Sequence, residues 1–274
     1  MSFEKLEIAI SPCPNDTFIF GPLVLGWIKV PFQMEFYFED IETLNRMALT
    51  GEVPVIKLSF AVLPEVAERY LVLPVGAALG RGVGPLLVAR KPYPLEEVPE
   101  LRVLLPGEHT TAHLLFRLAF PGATRKAFVP YHEIMPRLQD GEAEAGVIIH
   151  EGRFVFRDYG LYEILDLGTW WERETGLPIP LGGIFARRDL LPERLQVLTA
   201  AIRQSLELAR ERFEELYPFI AQKARELSRE VIERHITTYV NDFTWDLGQE
   251  GRKVLKVLAE KVKPDAQILV WEEK

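Results

Sequence analysis

The sequence predicts an α/β protein built as two lobes, and three observations predict it. β-rich runs alternate with helical stretches along the first two-thirds of the chain, the pattern of layered α/β architecture. Two glycine-punctuated segments, residues 76–84 leading into 85–90 and, about a hundred residues on, 180–188, read either as crossovers between lobes or as tight turns at strand ends. The length of 274 residues exceeds one average domain and suits two modest ones. Together these place residues 1–89 and 184–274 in a first, discontinuous lobe and 90–183 in a second, inserted one.

The elements follow in order. A β-rich run at 6–11 leads into Ser11-Pro12-Cys13-Pro14-Asn15-Asp16-Thr17-Phe18. There two prolines fix the loop, and Asn15, Asp16 or Thr17 can cap the next helix. Runs at 34–39 and 53–58 flank a helix over 41–49 whose apolar residues recur at helical spacing. Runs at 70–75 and 85–89 bracket the glycine-rich crossover, and those at 102–105, 127–129 and 145–149 frame a helix over 112–119. A run at 162–167 closes the series. Beyond it Leu195, Leu198, Ile202, Leu206 and Leu208 mark one face of a long helix, and two more helices are expected over 228–239 and 251–262.

Charge and composition exclude several functions. Lys plus Arg number 32 against 40 Asp plus Glu, a net charge of −8, so no basic field exists to hold a nucleic-acid backbone. A single cysteine, Cys13, excludes an intrachain disulfide and a cysteine-rich metal site. Residues 1–6 show no charged segment leading into an apolar one, and no apolar run approaches the ~20 residues of a membrane span. A cytosolic protein with neither nucleic-acid nor membrane partners is expected; oligomeric state, a homo-oligomer included, stays open.

Four strings carry candidate chemistry. In the first, Ser11, Asn15, Asp16 and Thr17 stand at a strand-to-helix turn, where α/β folds bind ligands. Cys13 within it acts as a nucleophile only with a depressed pKa and a nearby base. In the second, Lys57-Leu58-Ser59, the lysine and the serine share one strand face, a charged donor beside a hydroxyl that suits a carboxylate; a solvated strand-end lysine is the commoner case. In the third, Pro106-Gly107-Glu108-His109-Thr110-Thr111-Ala112-His113, Thr110 and Thr111 offer hydroxyls at a helix N-terminus that favours an anion. His109 and His113 have metal-like spacing, but no glutamate follows His109 and no third ligand is evident, so no metal is expected and both read as surface or cap histidines. In the fourth, Gly146-Val147-Ile148-Ile149-His150-Glu151, a buried strand ends in a histidine whose ordinary pKa of about 6.5 suits proton abstraction. His150 is therefore the preferred base. His235, inside an amphipathic helix, and His132, beside Pro130, are ranked below it. Phosphate-loop, dinucleotide and nucleophile-elbow motifs are missing from the sequence.

With Gly80-Arg81-Gly82-Val83-Gly84-Pro85 and the segment 176–182, these strings resemble, in order and spacing from Ser11 to Gly182, the 1,4-dihydroxy-6-naphthoate synthases of the futalosine route to menaquinone. The resemblance implies a type II periplasmic-binding-protein-like fold with a ligand cleft between two α/β lobes, used as a carbon-carbon lyase. The implied substrate is a small carboxylate, cyclic dehypoxanthinyl futalosine, cleaved to 1,4-dihydroxy-6-naphthoate and dihydroxyacetone without metal or other cofactor. It further implies His150 as proton acceptor and Lys57, Leu58, Ser59, Thr110 and Thr111 as binding residues; Ser11, Asn15, Asp16, Thr17 and Gly82 are expected beside them from the reading of the strings themselves. A non-catalytic binding protein of the same fold and the related chorismate dehydratase are the alternatives; the strings at 11–17 and 149–151 favour the naphthoate synthase.

Overall fold

A computed structural model of the protein describes residues 5–224 and 228–272. Residues 1–4, where a leader was sought, lie outside the described residues. The strands are β1 (Lys5–Ile10), β2 (Gln33–Phe38), β3 (Val55–Ser59), β4 (Tyr70–Val72), β5 (Ala78–Gly80), β6 (Leu86–Ala89), β7 (Val103–Leu105), β8 (Lys126–Phe128), β9 (Ala145–Ile148), β10 (Tyr162–Asp166) and β11 (Ile179–Arg187). Helices α1 (Pro14–Val24), α2 (Ile41–Thr50), α3 (Leu63–Val66), α4 (Thr111–Ala119), α5 (Ile134–Gln139), α6 (Gly152–Val155) and α7 (Leu167–Thr175) lie among them. The C-terminal third is helical: α8 (Pro192–Glu211), α9 (Phe213–Lys223), α10 (Arg229–Tyr239), α11 (Asp242–Trp245) and α12 (Gly248–Val262).

The expected α/β class holds, as two sheets. The first runs β2-β1-β3-β11-β4, with β5 pairing β11 off that path. Here β1 lies parallel to β2 and β3, while β11 runs antiparallel to β3, β4 and β5. The second runs β10-β6-β9-β7-β8. The expected crossings at 89/90 and 183/184 need correcting. Strand β6 pairs with β9 and β10, so the chain leaves the first sheet before Leu86, and β11 bonds wholly within the first sheet, so the return comes before Ile179. Residues 78–80, read as part of a crossover, form β5.

Apolar periodicity explains the layers. Helix α1 is buried on nearly all sides because it is sandwiched between the first sheet and α8, α9 and α10. On that outer side Ile8, Ile10 and Phe20 pack with Leu198, Ile202, Ile220 and Ile236. A continuous core joins the lobes on the other side, where Leu44 and Phe60 meet the cluster of Leu87, Val103, Phe116 and Trp171. A third cluster, with Leu104, Ile134, Leu138 and Ile148, covers the outer face of the second sheet. Caps set the starts of several helices. Asp40 accepts from the N–H groups of Glu42 and Thr43, and Ser228 accepts from that of Val231. At α1 the cap is Cys13, with no side-chain bond; Pro14 fits the first helical position, and Asn15, Asp16 and Thr17 fall inside the first turn instead of capping it.

Candidate active site

A pocket opens between the sheets where the parallel strands β1 and β3 of one, and β7 and β9 of the other, present their carboxyl ends. It holds about 640 Å³ of atom-free space, open mouth included. Ser11, Asn15, Asp16, Lys57 and Ser59 line it from the first lobe, and Thr110, Thr111 and His150 from the second.

A buried polar chain forms the first-lobe wall. Lys57 Nζ donates to Asp16 Oδ1 at 2.6 Å, and Asn15 Nδ2 donates to the same oxygen at 2.9 Å. Ser11 Oγ donates to Asp16 Oδ2 at 2.6 Å, and His235 Nε2 meets Asn15 Oδ1 at 3.0 Å. Lys57 is thus a buried, paired ammonium and not a solvated strand-end lysine. Asp16 both neutralises it and places a negative charge in the first turn of α1, where the helix dipole favours one. Ser59 exchanges two bonds with Asn45, accepting from Nδ2 and donating its N–H to Oδ1, which leaves its hydroxyl proton to give.

The facing wall is the start of α4. Thr110 caps it, donating to Gly107 O at 3.0 Å and accepting from His113 N. Thr111 Oγ1 donates to Leu181 O at 2.8 Å and accepts from Ala61 N. Each hydroxyl thus spends its proton on a backbone carbonyl, so it can meet a ligand only as an acceptor. What the nine-residue helix offers the pocket is its first N–H groups, at Thr111 and Ala112, and the positive end of its dipole.

His150 stands between the walls. Strand β9 stops at Ile148, and His150, two residues on, is the one non-glycine residue among those described with positive φ, at 53°. Left-handed backbone costs a side chain of this size energy that surrounding contacts must hold in place, and such strain concentrates at functional sites. Tyr131 packs edge-on at 5.0 Å and His235 stacks at 6.0 Å with ring planes 11° apart. Burial pulls the His150 pKa below the ordinary 6.5, partly opposed by Glu151 and Asp16. The imidazole is consequently neutral at pH 7, the form a general base requires. Cys13 Sγ lies 3.6 Å from its Nδ1, yet burial pushes the thiol well above its usual range, so this cysteine is a protonated neighbour and no thiolate nucleophile.

Other sequence candidates fall elsewhere. Leu58 points to the opposite strand face and joins the shared core. Thr17 spends its hydroxyl on the carbonyls of Cys13 and Pro14. Gly82 sits in a turn at φ +67°, its N–H held by Glu172. Of the two histidines read as surface or cap residues, His113 is buried against Phe128, whereas His109 is partly exposed, Glu42 taking both its backbone N–H and its Nδ1 at 3.0 and 2.8 Å. No group of three or more His, Cys, Asp or Glu suited to a metal occurs among the described residues, nor does any helix there have the length and apolarity to cross a membrane. Conversely, Ile41, Leu181 and Tyr239 line the pocket without having been singled out, and His235, which was ranked below His150, lines it too. The one available signal was that His235 and Tyr239 fall one helical turn apart, on the same face of α10.

Comparison with known proteins agrees with this architecture. The family model described as "Menaquinone biosynthesis" matches residues 6–264. A 1,4-dihydroxy-6-naphthoate synthase of Thermus thermophilus is 50% identical, with 94% of each chain covered. Another from Streptomyces coelicolor is 43% identical over 98% of this chain and 96% of its own. A crystallised protein of Archaeoglobus fulgidus superposes with a TM-score of 0.90 at 34% identity, covering 95% of this chain and 97% of its own. The alkanesulfonate-binding protein of Xanthomonas axonopodis gives a TM-score of 0.73 at 12% identity, with 98% of each chain covered, and shares the fold alone. The fold is thus periplasmic-binding-protein-like, and the chain belongs to the menaquinone-biosynthesis family, where its relatives are 1,4-dihydroxy-6-naphthoate synthase enzymes.

Proposed function

We propose that this enzyme acts in the cytosol as a carbon-carbon lyase, cleaving cyclic dehypoxanthinyl futalosine to 1,4-dihydroxy-6-naphthoate and dihydroxyacetone with His150 as general base. The observation that carries the reading is a neutral histidine, held in strained backbone, in a pocket that pairs a helix N-terminus with a buried ammonium. The first N–H groups of α4 are the anchor for the substrate carboxylate, and Lys57 or Ser59 across the pocket supplies a donor to charge developing on an enol oxygen. His150 takes the proton next to the ketone, and formation of the second aromatic ring draws out the three-carbon fragment. The reaction so written calls for neither metal nor nucleotide cofactor.

Anaerobic incubation with the cyclic substrate, followed by mass and ultraviolet detection, tests this directly. Wild type should release the dihydroxynaphthoate, and a folded His150→Ala variant should be slower by roughly 10²–10⁴-fold, the usual contribution of a general base. Binding without conversion would reassign the chain as a ligand-binding protein, and turnover of chorismate in its place would make it a dehydratase.

A further inference from the structure

His235 is fully buried, lines the pocket, and is used by nothing in the mechanism above. Its protonation pattern follows from its neighbours. The Asp16 carboxylate, paired with Lys57, only accepts, so the atom of Asn15 facing it at 2.9 Å is the amide nitrogen. The Asn15 oxygen then faces His235, and the ring atom 3.0 Å from it, Nε2, must carry the proton. That leaves Nδ1 as a bare acceptor, buried and with no partner in the structure. Other polar atoms left in this condition among the described residues, His113 Nε2, Ser205 Oγ and Trp271 Nε1, belong to residues outside the pocket lining. Native proteins seldom leave a buried polar atom unanswered, so one at a ligand cavity calls for a partner.

We propose that Nδ1 of His235 accepts a hydrogen bond from a hydroxyl of the bound substrate, in the tautomer fixed by Lys57, Asp16 and Asn15. The inference rests on the proposed reaction and names the polar contact that selects a hydroxylated substrate there. Three features support it. Phe154 and Tyr239 hold the ring from two further sides, so the acceptor is preorganised. Burial, with His150 and Lys57 nearby, keeps the imidazole neutral and its lone pair free. The ring stacks parallel to that of His150 at 6.0 Å, so a hydroxyl gripped there holds the reacting carbon chain beside the base. A site built around such a contact discriminates strongly against an analogue lacking the hydroxyl, because the analogue leaves the buried nitrogen unpaired.

Two conservative variants separate this role from a structural one. In His235→Gln the amide occupies the Nε2 position and keeps the bond to Asn15 but offers nothing at Nδ1; in His235→Asn the amide oxygen occupies the Nδ1 position and the bond to Asn15 is lost. The proposal expects His235→Gln to lose about ten-fold in kcat/KM, chiefly through KM, and His235→Asn to stay within about three-fold of wild type. The reverse order, Gln near wild type and Asn damaged, overturns it and makes His235 a structural prop. Nitrogen-15 NMR of the wild-type imidazoles checks the same point without a variant. A protonated Nε2 and a bare Nδ1 whose resonance moves on addition of the product dihydroxyacetone or the substrate support it; a protonated Nδ1 refutes it. If wild type converts no substrate, the reaction assignment fails and this contact with it, an outcome distinct from active wild type with an indifferent His235→Gln.

Discussion

At the scale of single residues the site is governed by burial acting on ionisable groups. His150 works as a base only when neutral, and burial lowers its pKa, so the acid limb of kcat/KM against pH should fall below 6.5; a limb above that value would remove His150 from the role. Stability carries the same sign. His113, His150 and His235 all bind protons less readily folded than unfolded, so stability is full above about 6.5 and is lost as pH falls from there toward the folded values. Calorimetric Tm measured from pH 8 to pH 5 should decline only over the acid half. The Lys57–Asp16 pair gives a harsher test. Asp16→Ala strands a buried ammonium and should cost about 3–5 kcal/mol in denaturant unfolding, whereas a cost below 1 kcal/mol would mean the lysine had found water. Much of this wall was legible because Ser11, Asn15 and Asp16 stand together in a proline-bounded turn, and Lys57 and Ser59 alternate along one strand. His235 was not, because its partner lies 220 residues away and a histidine on a helix face looks like packing until that partner is placed beside it.

Among elements, the narrowest passage is where the chain leaves β5 for β6 beneath the start of α7. A Cβ added to Gly84 would stand 2.3 Å from the Cα of Gly168, backbone against backbone with no side chain to yield. Gly84→Ala should therefore destabilise the fold by about 1–3 kcal/mol, read as a shift in urea midpoint, while Gly82→Ala meets no atom and suffers only from its positive φ. Helices with a polar first turn and a clean apolar stripe, α2, α4, α10 and α12, were visible in the sequence to within a few residues. Helix α7 was not; within it Trp171 is wholly buried and its indole N–H donates to Pro178 O. Strand β5 was hidden for a different reason, being three residues long among glycines and held by pairing with β11 instead of by any pattern of its own.

Over the whole molecule, the two lobes are fastened to each other by Glu42. Its carboxylate takes two bonds from His109, while Asn45, one turn along α2, donates to the His109 carbonyl at 3.1 Å. Removing the carboxylate in Glu42→Ala should let the lobes part, giving a larger radius of gyration in small-angle scattering that bound ligand reverses; an unchanged radius would show that the shared core alone sets closure. The order of strands has a further consequence, for the chain as it leaves the ribosome. Strand β11 lies between β3 and β4, so the first sheet remains split until that strand has been synthesised, about a hundred residues after β5. At ordinary translation rates that is roughly 5–20 s during which apolar strand faces wait unpaired, while the second sheet, contiguous in sequence, is free to form. A truncated nascent chain should accordingly recruit chaperones through its first lobe, and no fragment ending before α10 can carry the polar chain that ends in His235.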